Sequence, residues 1–567
     1  MMPLARQKRR RPLRSCGSRP WWKGAVGFAC ASWGVFAPVA VADAPGADGT
    51  DPRPRVRDLV IECLDVVDPA AGYDDSLPFR LANRLHYRTR SHVVARELLV
   101  GPGDLWDESL VGESAINLRR LPFIADATID TVGVGLGLVD LQVRTQDSWT
   151  TKPVLAWGFD GDRASWAFGL QEANLLGRGL SLAVLTSYRD RVRNTQVHVL
   201  DRRLGGSRVR LQAWAGDTDY GERWGGGLAL PFATRDSEWC WGLGGQHHRG
   251  RLDREIAAEL SMSQIRERES LLAYWGRALG RRGGPKLRYG ASLSTDRLAF
   301  GEALFGGAIV PEGDRRERGA LLGFVGCHWM EHVQVSDVMT SGRVEDIPVG
   351  ASGWIAAGPD WGSAVSRGYY AAQFTLGWTF HESYFGVSGQ VDHVAEETLG
   401  WAEVRSFSSR FPAQTWGLRV LHVATTDPRD GVVLHTGGSN GPRGIPSHWE
   451  SGRWLTSATL EDWVRLPWRP FAVRLGLSAF VDAARAGGMR DGFAAAGYPE
   501  SWLLSVGAGL RLDVERSLSP ESIRLEYAIP LRGPGRGLPT IGLRVTPLYF
   551  GERFVSPRVR RVDDRWP

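Results

Sequence analysis

Two hydrophobic rhythms divide the chain. In its first part, Leu59-Val60-Ile61 with Cys63 reads as a strand, the first ordered element after Arg57. The segment from Ser91 to Leu99 opens on a capping residue, carries Val93, Val94, Leu98 and Leu99, and stops at Gly-Pro-Gly, which predicts a short helix. A second helix is predicted from Asp107 to Leu121, where Leu110, Val111, Ile116, Leu118 and Leu121 recur at roughly helical spacing and Pro122 stands just beyond. Two strands follow, Ile124 to Thr131 and Leu136 to Thr145; in the latter Leu138, Asp140 and Gln142 alternate with Val139, Leu141 and Val143. The order β-α-α-β-β predicts a small α+β domain over residues 57–147.

From Ser148 to Phe550 the rhythm changes to segments of about ten residues in which apolar and polar or small residues alternate, separated by Gly-, Pro- and Asp-rich turns. Leu180, Leu182, Val184, Thr186 and Tyr188 share one face, and Ser181, Ala183, Ser187 and Arg189 the other. Leu504, Val506, Ala508, Leu510 and Leu512 oppose Ser505, Gly507, Gly509, Arg511 and Asp513; Ile523, Leu525, Tyr527 and Ile529 oppose Arg524, Glu526 and Ala528. On the segment from Phe471 to Asp482, Phe471, Val473, Leu475, Leu477 and Val481 share the apolar face, which places Arg474, Gly476, Ser478, Phe480 and Asp482 on the polar one. An apolar face and a charged face over about 400 residues fit a transmembrane antiparallel β-barrel with a polar lumen. A soluble sandwich shows the same alternation. The 24 tryptophans favour the barrel, because Trp149, Trp157, Trp239, Trp454, Trp468 and Trp502 stand near segment ends, where aromatic girdles meet the membrane interfaces.

Charge changes the picture only at the N-terminus. The pI of about 9.2 invites a nucleic-acid reading, yet residues 1–42 hold eight basic residues and no acidic one, leaving 61 basic against 63 acidic residues in the rest. No nucleic-acid partner is expected. The basic stretch runs into an apolar segment, Gly24 to Val41, ending in Ala40-Val41-Ala42, which predicts a secretory signal peptide over 1–42. Pro38 and several glycines argue against a membrane anchor, and Cys30 lacks the context for lipidation. Residues 43–56 read as a flexible lead-in. Beyond position 45 no apolar run approaches the ~18 residues of a spanning helix. Seventy glycines without a G-X-Y period exclude collagen.

Cys63, Cys240 and Cys327 are too sparse for a disulfide scaffold or a metal site. His247 and His248, and His328 and His332, read as loop or lumen histidines with no carboxylate cluster to complete a ligand set. No metal or cofactor is expected, no nucleotide-binding glycine loop is present, and no Ser/His/Asp or paired-carboxylate motif points to an enzyme.

Several local motifs are more specific. Glu172-Ala173-Asn174-Leu175-Leu176-Gly177-Arg178-Gly179 resembles the E-x-N-L-L-G-x-G motif that opens the barrel in the BamA/TamA superfamily of outer-membrane assembly factors and two-partner-secretion translocators, of the bacterial surface-antigen and haemolysin-activator type. Ala82-Asn83-Arg84-Leu85-His86, Thr89-Arg90 and Arg96-Glu97-Leu98-Leu99 resemble part of the POTRA domain preceding such barrels. Gly441-Pro442-Arg443-Gly444-Ile445-Pro446 resembles the R-G-F/Y motif of the sixth extracellular loop, with Ile445 in the aromatic's place. Phe480-Val481-Asp482-Ala483-Ala484 resembles the F-x-D-x-G strand motif, with Ala484 for the glycine. The resemblance spans about residues 57–550 and lies in the order of the motifs.

It implies a single periplasmic POTRA domain at 57–147, a sixteen-stranded barrel at 148–550 in the bacterial outer membrane and a C-terminal tail at 551–567. It also implies a lumen loop whose Arg443 meets Asp482. The function it implies is insertion or translocation of polypeptides, the POTRA domain recruiting an unfolded client by strand addition. Outer-membrane lipid, that client and periplasmic accessory proteins are the partners expected. A passive pore with a periplasmic domain and a lipid-handling barrel are the alternatives; a porin has no need of a β-α-α-β-β domain. In this reading the site residues are Gly441, Arg443, Gly444 and Ile445 of the loop, Phe480 and Asp482 of the strand, and Glu172, Asn174, Gly177 and Gly179 where the barrel begins.

Overall fold

A computed structural model describes residues 53–67, 83–84, 86–160, 163–189, 192–257, 260–308, 310–336, 338, 344–362, 368–394, 397–411, 413–426, 434–437, 441–446, 449–468, 473–488, 501–514 and 522–546. The segment 1–42 expected to be a signal peptide, most of the expected lead-in, Ala82, Leu85, Phe471, Phe550 and the expected tail at 551–567 lie outside them.

The first described unit is α+β. Its elements are β1 (Arg55–Leu64), α1 (Ser91–Ala95), α2 (Glu108–Arg119), β2 (Ile124–Gly135) and β3 (Leu138–Asp147). The sheet order is β1-β3-β2, with β1 parallel and β2 antiparallel to the central β3. Asp107 caps α2, its carboxylate accepting the N–H groups of Ser109 and Leu110. Val93, Val94, Leu118, Phe123, Ile124 and Val143 form one core between helices and sheet; Val56, Val100, Leu110, Val139 and Leu141 form a second. The helix α1 stops at Ala95 rather than Leu99, because Leu98 packs against the first core and Leu99 against the second, which a continuing helix could not serve together. The hairpin between β2 and β3 turns through Gly135, Leu136 and Gly137, all at positive φ.

Past Asp147 the chain enters a closed barrel, beginning with β4 (Thr151–Asp160) and β5 (Arg163–Glu172). Six strands lie between residues 151 and 230, five between 239 and 358, four between 369 and 425 and five between 454 and 546, twenty in all; Asp360–Trp361 continues the strand that ends at Gly358. Neighbours in sequence are neighbours in the wall, and the strand Thr540–Thr546 meets β4 to close it. The expectation of sixteen strands allotted ~25 residues to each strand and its connection. Some hairpins instead turn through two residues, at 219–220 and 381–382, so the same length of chain makes more strands. The ten-residue segments are also only part of the wall: Trp239–Ala257, Leu260–Leu279, Lys286–Phe305 and Arg315–Ser336 run 19, 20, 20 and 22 residues. A tilted strand needs ~9–11 to cross a bilayer, so these stand well clear of it.

The barrel is inside-out relative to a soluble protein. Leu477, Val481, Leu510, Leu525 and Tyr527 are each more than 40% exposed on its outer face, while Arg511, Asp513, Arg524 and Glu526 on the same strands are at most 5% exposed. An apolar exterior of this extent suits hydrocarbon, not water. Trp239, Trp468 and Trp502 are exposed near strand ends, whereas Trp401 and Trp463 turn inward. Among the described residues no helix is long and apolar enough to cross a membrane.

Candidate functional site: an arginine held inside the barrel

The longest connection between wall strands among the described elements runs from Thr425 to Trp454. Within it Leu434–Thr436 and Glu450–Gly452 pair as a small antiparallel hairpin, and Gly441–Pro446 is carried into the lumen. Gly444 has φ +85°, and a Cβ there would lie 2.8 Å from Thr540 Oγ1, so the backbone can pass only as glycine. Ile445 is buried and approaches the turn at Gly533.

Arg443 is 1% exposed. Its Nε and Nη2 donate to the two oxygens of Asp482 at 2.7 and 2.9 Å, and its backbone N–H donates to the same carboxylate at 3.1 Å. This fork-on-fork geometry is available to Arg and not to Lys. Nη1 donates to Glu526 at 2.8 Å and to Glu461 at 3.3 Å. The guanidinium lies 3.2 Å from the centroid of the Phe480 ring. Phe480 can lie flat there because Gly507 is its neighbour across the strands: a Cβ at that position would come within 2.3 Å of the ring.

Arg524 completes the cluster. It is 1% exposed, and its Nη1 donates to Glu461 at 3.0 Å and lies 3.6 Å from Glu526. Glu461 also accepts the indole N–H of Trp463. Two guanidinium groups therefore face three carboxylates in a space closed to water, where each charge depends on the others. Glu461, Glu526 and Arg524 were not among the site residues expected from sequence. Alternation does place Arg524 and Glu526 on the lumen side, but it does not say which lumen groups meet.

The motif that opens the barrel serves as a joint. Glu172 accepts the N–H of Asn174 at 2.7 Å. Asn174, 1% exposed, donates to Thr89 Oγ1 at 2.8 Å and accepts the Gly179 N–H at 2.6 Å. The Gly177 carbonyl accepts the N–H of Arg90 at 3.1 Å. Gly177, at φ +71°, leaves 2.3 Å between a would-be Cβ and the Arg88 carbonyl, and Gly179 packs beside Val93 and Phe123. These four residues thus tie the α+β unit to the wall. His86 and the Thr89 N–H share Asp147 at the end of β3, at 2.8 and 2.7 Å, and Arg203 pairs with Glu97 from the other side.

A cavity of about 710 Å³ occupies another part of the lumen, bordered among others by Arg210, Gln246, Arg268, Tyr274, Asp296 and Arg318. The histidines differ from their sequence reading in one respect. Glu267 and Glu269 on the neighbouring strand bring their carboxylates to His247, all three ligand atoms lying within 4.8 Å of one another. Arg297 shares this patch, 3.3 Å from Glu269. Sequence spacing misses the group because it forms across strands. His328 hydrogen-bonds Ser352 at 3.0 Å.

No family model matches the chain, and no curated protein matches it. Among solved structures it is similar to the Haemophilus ducreyi BamA lacking POTRA domains 1–3, at 16% identity and TM-score 0.33, covering 86% of this chain and 83% of that one. It is similar to CdiB from Acinetobacter baumannii at 13% identity and TM-score 0.44, covering 87% and 74%. CdiB from Escherichia coli is similar at 12% identity and TM-score 0.46, covering 90% and 93%.

Proposed function

We propose that this chain is an outer-membrane barrel that inserts or translocates polypeptides, with residues 57–147 acting in the periplasm as a POTRA domain. The reading starts from a loop of the barrel rim that lies in the lumen with Arg443 locked to Asp482. A passive pore can also carry charges and an inward loop in its bore, so it is the α+β unit before the barrel, for which passage alone has no need, that separates the two readings. The α+β unit supports the reading, because β2 presents an outer edge on which Val132 and Val134 are exposed, whereas the start of β1 is already bonded to residues 103–106. An extended client segment can add to such an edge by backbone hydrogen bonds. No catalytic step, metal or cofactor enters this function; the barrel acts through its shape and its edges, with lipid around it and accessory proteins beneath it.

The test compares cells with and without the protein. Outer-membrane fractions and culture medium are quantified by mass spectrometry, and the protein itself is followed by density fractionation and by its heat-modifiable mobility on gels. The expected result is co-fractionation with the outer membrane and depletion of one or a few polypeptides from membrane or medium. Unchanged proteomes together with lost permeability to small solutes would replace this function by a passive pore, and changed lipid composition alone by lipid handling.

A further inference from the structure

The strand Arg315–Ser336 pairs with its preceding neighbour only as far as Lys286↔His328, and Val344–Gly358 pairs with its following neighbour only from Gly350↔Gly377. Between these limits Trp329–Ser336 and Val344–Val349 pair as strands only with each other. They form a two-stranded hairpin that leaves the wall on the side of the α+β unit. A hairpin of two strands is marginal in water unless it packs against something.

Besides an exposed ion pair between Glu331 and Arg235 at 3.3 Å, it packs at two more buried places. At its flank, Arg119 at the C-terminal end of α2 donates through Nε and Nη2 to both oxygens of Asp346, at 2.8 and 2.7 Å, with the side chains 6% and 7% exposed. Arg119 is itself held by the Ala127 carbonyl at 2.9 Å, and Arg120 beside it contacts His332. At its far end, Val338 is buried against Phe407 and Trp463, with Val335 and Tyr384 beside them. Phe407 stacks on both Tyr384 and Trp463, at 6.3 and 6.4 Å between ring centroids. These aromatics stand on the strands Ser383–Val394, Glu397–Ser408 and Trp454–Arg465, none of which adjoins either strand of the hairpin. These strands stand two, three and five places along the wall from Val344–Gly358, so to reach them the hairpin must leave the wall and extend inward over part of the barrel mouth.

We propose that this hairpin is a stopper for the lumen, seated by Val338 on the Phe407 and Trp463 rings and latched by the α+β unit through the Arg119 and Asp346 ion pair. The two anchors differ in kind. The seat is a small apolar contact in an otherwise polar lumen, easily exchanged for water. The latch is a forked, nearly buried ion pair whose arginine belongs to a different unit. A shift of α2 by more than hydrogen-bond reach therefore strands Asp346 and frees the tip, so the position of the α+β unit sets whether the mouth is closed. Trp463 also donates to Glu461, which holds Arg443, so the seated tip rests against the arginine cluster. The inference does not depend on what the barrel transports.

The test uses the full-length protein in liposomes, with Cys16, Cys30, Cys63, Cys240 and Cys327 replaced by alanine and a single Val338→Cys as reporter. A membrane-impermeant maleimide labels this thiol only when the tip leaves its seat. With the latch intact labelling is slow. Arg119→Glu or Asp346→Arg should each accelerate it by roughly tenfold, as expected for a two-state element losing one coupled contact, and the charge-swapped double variant should return it toward the starting rate. Asp346→Asn, a gentler change, serves if either reversal prevents assembly, which retained heat-modifiability reports. Ion conductance in planar bilayers should rise in the variants that label faster. Equal labelling rates in latched and unlatched proteins would overturn the latch, and faster labelling without higher conductance would overturn the stopper.

Discussion

Removing the Arg443 side chain should do more harm than removing its main partner, and removing both should do less harm than removing Arg443 alone. Arg443→Ala takes from Asp482 the forked guanidinium that holds it, and from Glu461 and Glu526 one of their cations; breaking a buried pair in this way costs about 3–5 kcal/mol. Asp482→Ala leaves Arg443 with Glu526 at 2.8 Å and Glu461 at 3.3 Å, so the loss is nearer that of a charged hydrogen bond, ~1.5–3 kcal/mol. In the double variant Arg524 still faces Glu461 and Glu526, two carboxylates instead of three. Its destabilisation should fall below that of Arg443→Ala and about 3 kcal/mol short of the sum of the singles, well beyond the few tenths by which independent sites deviate from additivity. Arg443→Lys restores the charge but cannot fork onto Asp482 and should recover less than half of the loss. The assay is urea unfolding of the detergent-folded barrel, read by its heat-modifiable mobility. Additivity within about 0.5 kcal/mol, or an Arg443→Ala protein as stable as wild type, would refute the cluster as an energetic unit.

Two further predictions concern the joint and the docking of α2. Gly177→Ala forces a Cβ to within 2.3 Å of the Arg88 carbonyl at φ +71°; a strain of about 1–3 kcal/mol should loosen the joint and let limited proteolysis separate the α+β unit from an intact barrel. Burial raises the Glu113 carboxyl above its ordinary 4.5, more than the Arg235 N–H it accepts lowers it. A group with a raised folded pKa contributes its stability fully below 4.5 and loses it as pH rises through the folded value. Glu113→Gln, fixed in the neutral state, should therefore melt above wild type at pH 7 and together with it below 4.5; a constant difference across pH would reject this account.

Which face of each strand meets the lumen was legible residue by residue, because alternation at period two is a property of one strand. What depends on two strands was not. Glu461 lies opposite Phe480 and so near Arg443, but no pattern within Trp454–Arg465 says so. The strand count failed for a related reason: turn length is invisible where a Gly or Asp run reads equally as a loop or as a strand end. The protruding hairpin is a difference between the registers of neighbouring pairs, and a single strand carries no trace of it. The resemblance names Arg443 and Asp482 as partners, but it names neither the second arginine nor the other two carboxylates.

The order of the cluster along the chain has a consequence for how the barrel is made. Arg443 precedes every carboxylate that holds it: Glu461, Asp482 and Glu526 follow, each on a later strand. The arginine is thus made before any of the groups that hold it, and strands that come after the loop supply every one of its carboxylate contacts. Only when the strand bearing Glu526 is in place, with one strand left to add, can the full set of contacts form. The complete set of contacts around Arg443 therefore requires the late strands of the wall to be in register with one another.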